Sequence, residues 1–221
     1  MTSPWLKAVY AVIAVMVAAA LSFAIFQPLK VLPRITLAPG LILTDQAGQP
    51  LTTETLRGQI VLYNFAAAEC AAPCAAMAGV LREVQRELET AALDGPAVKL
   101  VTISVDPAHD TPEVLTGLAA AAGADPARWS FATGDPGLLK QAIGAGFQLF
   151  YGPRADGTLQ VDPLFVLVDG WGLLRAEYRT AAPEVSIILR DIGLVVDEAR
   201  NSTGVTRYAY EAAHLFLCYP R

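Results

Sequence analysis

Two short apolar runs rich in β-formers, Ile60–Phe65 (IVLYNF) and Val98–Val105 (VKLVTISV), flank a segment of helical periodicity. Within it Met77, Val80, Leu81, Val84 and Leu88 mark one face, while Arg82, Glu83, Arg86, Glu87 and Glu89 take the other. A strand, an amphipathic helix and a second strand form a crossover, so the two strands should run parallel. Their C-terminal ends then share one side of the sheet, where ligand chemistry gathers in open α/β folds. Other elements surround this unit. Leu41–Thr44, a turn at Asp45-Gln46-Ala47-Gly48 and Leu51 give a hairpin signal. Thr111-Pro112-Glu113 and Asp135-Pro136 open helices, the latter through Ile143. Leu164–Val168 and Leu173–Tyr178 read as strands joined at Asp169-Gly170, and a helix from about Glu184 to Glu198 follows Pro183.

That order predicts an α/β, thioredoxin-like fold with an N-terminal hairpin extension over residues 40–200. Ahead of it, Ala8 to Phe26 is a run of 19 uncharged residues, long enough for one transmembrane helix. The run exceeds the usual signal-peptide core, which favours a retained anchor over residues 1–26. Lys7 on one side against Lys30 and Arg34 on the other does not set its orientation. Residues 27–39 hold three prolines and read as a stiff linker. Residues 201–221 form a C-terminal tail in which Tyr208, Ala212, Leu215 and Leu217 suit a short helix. With a formal charge of −5 and no cluster of Lys or Arg, the chain has no footprint for nucleic acid.

Three cysteines do not make a disulfide framework. Cys70 and Cys74 lie four apart between a strand and a helix. A sulfur there feels the positive end of the helix dipole and exposed N–H groups, which favour thiolate, the nucleophile and metal ligand. The pair can close a small disulfide or clasp one soft cation, Cu(I) above all. Glu69 opposes thiolate formation if it points at Cys70. Asp106, Asp110 and Asp135 each precede a proline or a helix start and read as turn and cap residues.

Four stretches together resemble the SCO family, the synthesis-of-cytochrome-oxidase proteins: TDQAGQPLTTETLRGQIVLYNF, the Cys70/Cys74 CxxxC, TISVDPAHDTPEVL and WSFATGDP. The resemblance implies a thioredoxin fold facing the periplasm or its equivalent. It implies delivery of Cu(I) to the CuA centre of cytochrome c oxidase, or reduction of that centre's cysteines. The partners it implies are the CuA-bearing subunit, the membrane, and a thiol reductant or another copper chaperone. Family members complete the copper site with a histidine just before the strand matching Leu164–Val168. Here that stretch reads Gln160-Val161-Asp162-Pro163, without histidine.

What stands there instead is similar to thioredoxin-like reductases, whose P-x-x-F/V-L-I-D-x-x-G pattern fits Pro163, Val166–Val168, Asp169 and Gly172. In those proteins the proline is normally cis, packed on the active-site sulfurs; an ordinary trans proline at a strand start is the alternative. The chain has only two histidines. His109, in the loop after the second core strand, is a candidate substitute ligand, with solvated surface as the other reading. His214 and Cys218 share a helix-face spacing that can bind metal but also suits a packed tail. Three functions follow as expectations: Cu(I) chaperone, thiol–disulfide oxidoreductase with Cys70 attacking and Cys74 resolving beside Pro163, and non-catalytic accessory factor docking through anchor and tail. A peroxidase wants threonine three residues before its reactive cysteine, and position 67 is alanine.

Overall fold

The computed structural model describes residues 3–26, 30–70, 72–91, 93–154 and 159–216. In chain order the strands are β1 (Thr36–Leu37), β2 (Ile42–Asp45), β3 (Pro50–Thr52), β4 (Ile60–Ala66), β5 (Val98–Ser104), β6 (Trp129–Gly134), β7 (Tyr151–Pro153), β8 (Leu159–Val161), β9 (Phe165–Val168) and β10 (Leu173–Tyr178). The helices are α1 (Pro4–Phe26), α2 (Ala72–Thr90), α3 (Pro112–Ala122), α4 (Pro136–Lys140), α5 (Val185–Asn201) and α6 (Thr206–Phe216). α4 continues as a π-helical turn over Gln141–Gly146.

β4 and β5 pair in parallel from Ile60↔Val98 to Ala66↔Ser104. α2 makes the crossover, burying Met77, Leu81, Val84 and Leu88. β5 then pairs in parallel with β6 through α3, which is capped by the Thr111 hydroxyl and ended by Gly123 at φ +70°. On the other flank β9 runs antiparallel to β4, and β10 pairs antiparallel with β9. The sheet order is β1-β10-β9-β4-β5-β6-β2-β3, with β7 and β8 as a separate two-stranded ribbon. A buried polar chain crosses its centre: Trp129 Nε1–H donates to Thr102 Oγ1 (2.9 Å), which donates to Asn64 Oδ1 (2.6 Å). It satisfies groups that burial would otherwise leave unpaired. β6 has no counterpart in the sequence expectation, because Ser130, Thr133 and Gly134 interrupt its apolar character.

The apolar run Ala8–Phe26 lies in α1, where the side chains at 20 and 23–26 fall outside the described residues. Among the described residues no helix is long and apolar enough to cross a membrane.

The stretch expected as a stiff linker packs on the domain beyond residues 27–29, which lie outside the description. Val31 and Leu32 are buried, and Thr36 and Leu37 pair with Leu174 and Leu173 at the sheet edge. The reason is Arg175. Only 2% exposed, its guanidinium donates to the carbonyls of Leu32 (2.8 Å) and Pro33 (3.2 Å). It also pairs with Asp169 (2.9 Å) and Glu198 (2.5 Å). Glu198 further binds Arg34 (3.1 Å) and His214 Nε2 (2.8 Å), so the entering strand and α6 meet at one ionic hub. Val31 packs there with Tyr210 and Ala213 of α6.

Burial alone would raise the Glu198 carboxyl, but hydrogen bonds from His214 and Arg175 and their charges hold it at about 2. A folded-state value below the unfolded one means stability present above the ordinary carboxylate range and lost as pH falls toward 2. The contribution is about 3 kcal/mol. Urea unfolding between pH 6 and 2.5 should therefore show a steeper acid loss in the wild type than in Glu198→Gln. Parallel curves would refute the assignment.

Candidate functional site

β4 ends at Ala66, and Ala67–Cys70 turns the chain into α2, with the Cys70 N–H donating to the Ala67 carbonyl (3.1 Å). Cys74 lies in the first turn of α2. The two cysteines are joined in a disulfide, with Cα atoms 5.8 Å apart, within the usual span for such a bond. Cys74 is 8% exposed and part of the core, whereas Cys70 is half-buried at its rim. The small residues Ala66, Ala67 and Ala68 leave the turn without side-chain bulk. Glu69 is exposed, where solvent and salt screen its charge from the sulfurs.

The neighbouring loop after β5 stands at the same height, since Ser104 is in register with Ala66. Its Asp110 is not a turn residue, contrary to the expectation from sequence. Its side chain is 1% exposed and accepts the Ala68 N–H on both oxygens (3.2 and 3.3 Å). It also accepts the Ser104 hydroxyl (2.5 Å). Burial pushes the Asp110 carboxyl upward, and the bonds from Ser104 and Ala68 oppose that. Sequence reasoning missed this residue because its partner lies 42 positions away. Asp135 does cap α4, accepting from Gly137 and Leu138. Asp106 accepts the backbone N–H groups of His109 and Asp110, as a turn residue does.

His109 projects into solvent, its side chain 75% exposed, with Nδ1 2.8 Å from Asp106 Oδ2. The bond and charge of Asp106, with Glu69 and Asp110 nearby, hold its imidazolium above the ordinary range. Asp106 already engages the Nδ1 nitrogen of that ring. Among the described residues no three His, Cys, Asp or Glu side chains gather as a ligand set. His109→Ala is expected to leave Cu(I) affinity of the reduced protein within about twofold, read by competition with a chelator; a tenfold fall would make it a ligand. His214 binds Glu198, and Cys218 lies outside the described residues.

The Asp162–Pro163 bond is trans, as is every peptide bond among the described residues. The sequence pattern that suggested a cis proline is thus met in spacing and not in geometry; a trans proline leading into a strand is permitted. Because Asn64 pairs with Phe165, Pro163 still lies at the cysteine end of the sheet. The residue that meets Cys70 there is Leu159, through a parallel β-bridge. The β7–β8 ribbon is therefore laid against the disulfide. The segment feeding it, Phe147–Phe150, includes Gln148 at φ +52°, its carbonyl held by Arg179. A non-glycine residue in that region costs of order 1 kcal/mol.

A family model described as SCO1/SenC matches residues 37–193. An SCO1 protein homolog of Bacillus subtilis is 30% identical over 90 residues, 41% of this chain and 45% of that protein. The chain thus spans under half the length of the curated relatives it matches. Bradyrhizobium japonicum ScoI, solved with copper bound, is 25% identical at a TM-score of 0.54, over 70% of this chain and 98% of that one. BsSco, described as a member of the Sco family of cytochrome c oxidase assembly proteins in which a disulfide switch was identified, is 21% identical at a TM-score of 0.63. That match covers 72% of this chain and 93% of that one. The last likeness shows the shared fold.

Proposed function

The chain belongs to the SCO1/SenC family, and from that premise we propose that it assists assembly of the CuA centre of cytochrome c oxidase through the Cys70/Cys74 dithiol. It is anchored by the Ala8–Phe26 run with its domain in the periplasm or an equivalent space. One observation carries the reading: Cys70 and Cys74 close a disulfide at the strand-to-helix turn, with Cys70 at the rim and Cys74 behind it.

Such a pair exchanges with other thiols. Cys70 thiolate attacks a disulfide on the target, releasing one target thiol and forming a mixed disulfide. Cys74 thiolate then attacks Cys70, releasing the second target thiol and leaving the Cys70–Cys74 bond. The target gains two electrons and two protons, and a separate thiol reductant restores the dithiol. Pro163 stiffens the approach to β9 at the same end of the sheet. In the reduced state the two sulfurs suit Cu(I) as cargo; Cu(II), which prefers nitrogen and more ligands, lacks the family's histidine here. That missing ligand favours reduction of target cysteines over copper delivery as the principal task.

Equilibration of the soluble domain with glutathione buffers tests the exchange reading. Interconversion of dithiol and disulfide between thioredoxin-like and DsbA-like potentials supports it, and a pair that never cycles there ends it. Cu(I) competition tests the cargo reading, which falls if the wild type binds no better than Cys70→Ser.

A further inference from the structure

The turn that presents Cys70 is built from residues that cannot hold themselves. Ala66, Ala67 and Ala68 carry no polar side chain. The Cys70 N–H closes the turn on the Ala67 carbonyl, and the Ala68 N–H is bonded from outside the turn. That N–H meets both carboxylate oxygens of Asp110. Asp110 is fixed in turn by the Ser104 hydroxyl, whose oxygen also accepts the Asp106 N–H (3.0 Å). Ser104 is the last residue of β5 and Ala66 the last of β4, and the Val105 N–H donates to the Ala66 carbonyl (2.9 Å). The carboxylate is thus a strut between the ends of the two central strands, at 1% exposure, beneath a turn whose residues 68 and 69 are exposed.

We infer that Asp110 is a positioning residue for thiol exchange: by fixing the Ala68 N–H it keeps the Cys70 turn in its disulfide-forming shape after the bond is reduced. The inference rests on the exchange reading above. Its physical content is an effective concentration. Two thiols held near bonding geometry close at little further entropic cost, whereas a slack turn must be ordered again at each cycle. The charged groups around the strut are Asp106 and His109 on its own loop and Glu69 on the facing turn.

The readout is the equilibrium in which the Cys70/Cys74 dithiol and one glutathione disulfide give the protein disulfide and two glutathione thiols. Two electrons and two protons pass to the glutathione sulfurs. Asp110→Ala removes the strut and is expected to lower the equilibrium constant about tenfold. Asp110→Asn keeps an oxygen for the Ala68 N–H and an amide for Ser104, and is expected within about twofold of wild type. An Asp110→Ala constant within twofold of wild type overturns the inference. So does an Asp110→Asn constant as low as that of Asp110→Ala, since charge would then be acting and not geometry. Amide hydrogen exchange on the unaltered protein gives a second test that does not depend on a variant folding. Ala68 should stay protected in both oxidised and reduced forms, and its loss of protection on reduction overturns the inference. Wild-type protein that never equilibrates with glutathione ends the exchange reading itself; wild type that equilibrates while Asp110→Ala matches it ends only this one.

Discussion

Cys74→Ser is expected to accumulate a stable mixed disulfide with glutathione through Cys70, and Cys70→Ser to form the corresponding adduct at least about tenfold more slowly. The asymmetry follows from position. Cys70 is half-buried at the rim of the turn, while Cys74 is 8% exposed and packed with the core. A thiolate must reach the incoming sulfur in line, so access ranks the two even where helix dipole and N–H groups favour both. Removing Cys74 deletes the residue that would resolve the adduct, so the adduct persists. Removing Cys70 leaves a sulfur that attacks only when the turn opens. Mass spectrometry of each variant after timed exposure to oxidised glutathione reads the rates. Equal rates would remove the distinction between attacking and resolving roles, and a faster adduct in Cys70→Ser would reverse it.

Arg175→Met should cost about 3–5 kcal/mol of stability, among the largest single effects available outside the site. The substitution keeps volume while removing a guanidinium that is 2% exposed and bound to two carboxylates and two backbone carbonyls. Asp169 retains the N–H groups of Trp171 and Leu173, and Glu198 retains Arg34 and His214. Those partners place the expectation toward the lower end of the range. Urea denaturation at pH 7 measures it, with Arg34→Met, on the more exposed member of the hub, as the milder comparison. A loss below about 1 kcal/mol would mean the hub is worth no more than a surface pair.

Local sequence pattern was enough for the parts of the fold that are locally determined. The apolar strands, the amphipathic α2, the Thr111-Pro112 start of α3 and the Asp135 cap are each written in a few adjacent residues. The site's two sulfurs were legible for the same reason. What was not legible is made of distant contacts. Asp110 has the spacing of a turn residue, and only the parallel register of β4 and β5 brings it under Ala68. The prolines before residue 40 suggest a spacer, and only burial of Val31 by α6 and the reach of Arg175 show the stretch docked. β6 pairs through its backbone, so its sparse apolar content hid it. Pro163 matched a pattern whose meaning lies in a peptide-bond geometry that spacing cannot encode.

The docking of residues 31–37 has a mechanical consequence. Between Phe26 and Val31 there remain four residues, which extend at most about 14 Å. With the Ala8–Phe26 run seated in a bilayer, as proposed, the domain is then held on a short leash. The chain joins the sheet beside the Asp169–Gly172 turn, at the N-terminal end of β4. The disulfide lies past the other end, a strand of seven residues or roughly 23 Å away. On that proposal the leash and the length of the strand together would limit how far from the lipid surface the dithiol can reach. Its encounters would then be a lateral search, open to targets that present their cysteines within that reach.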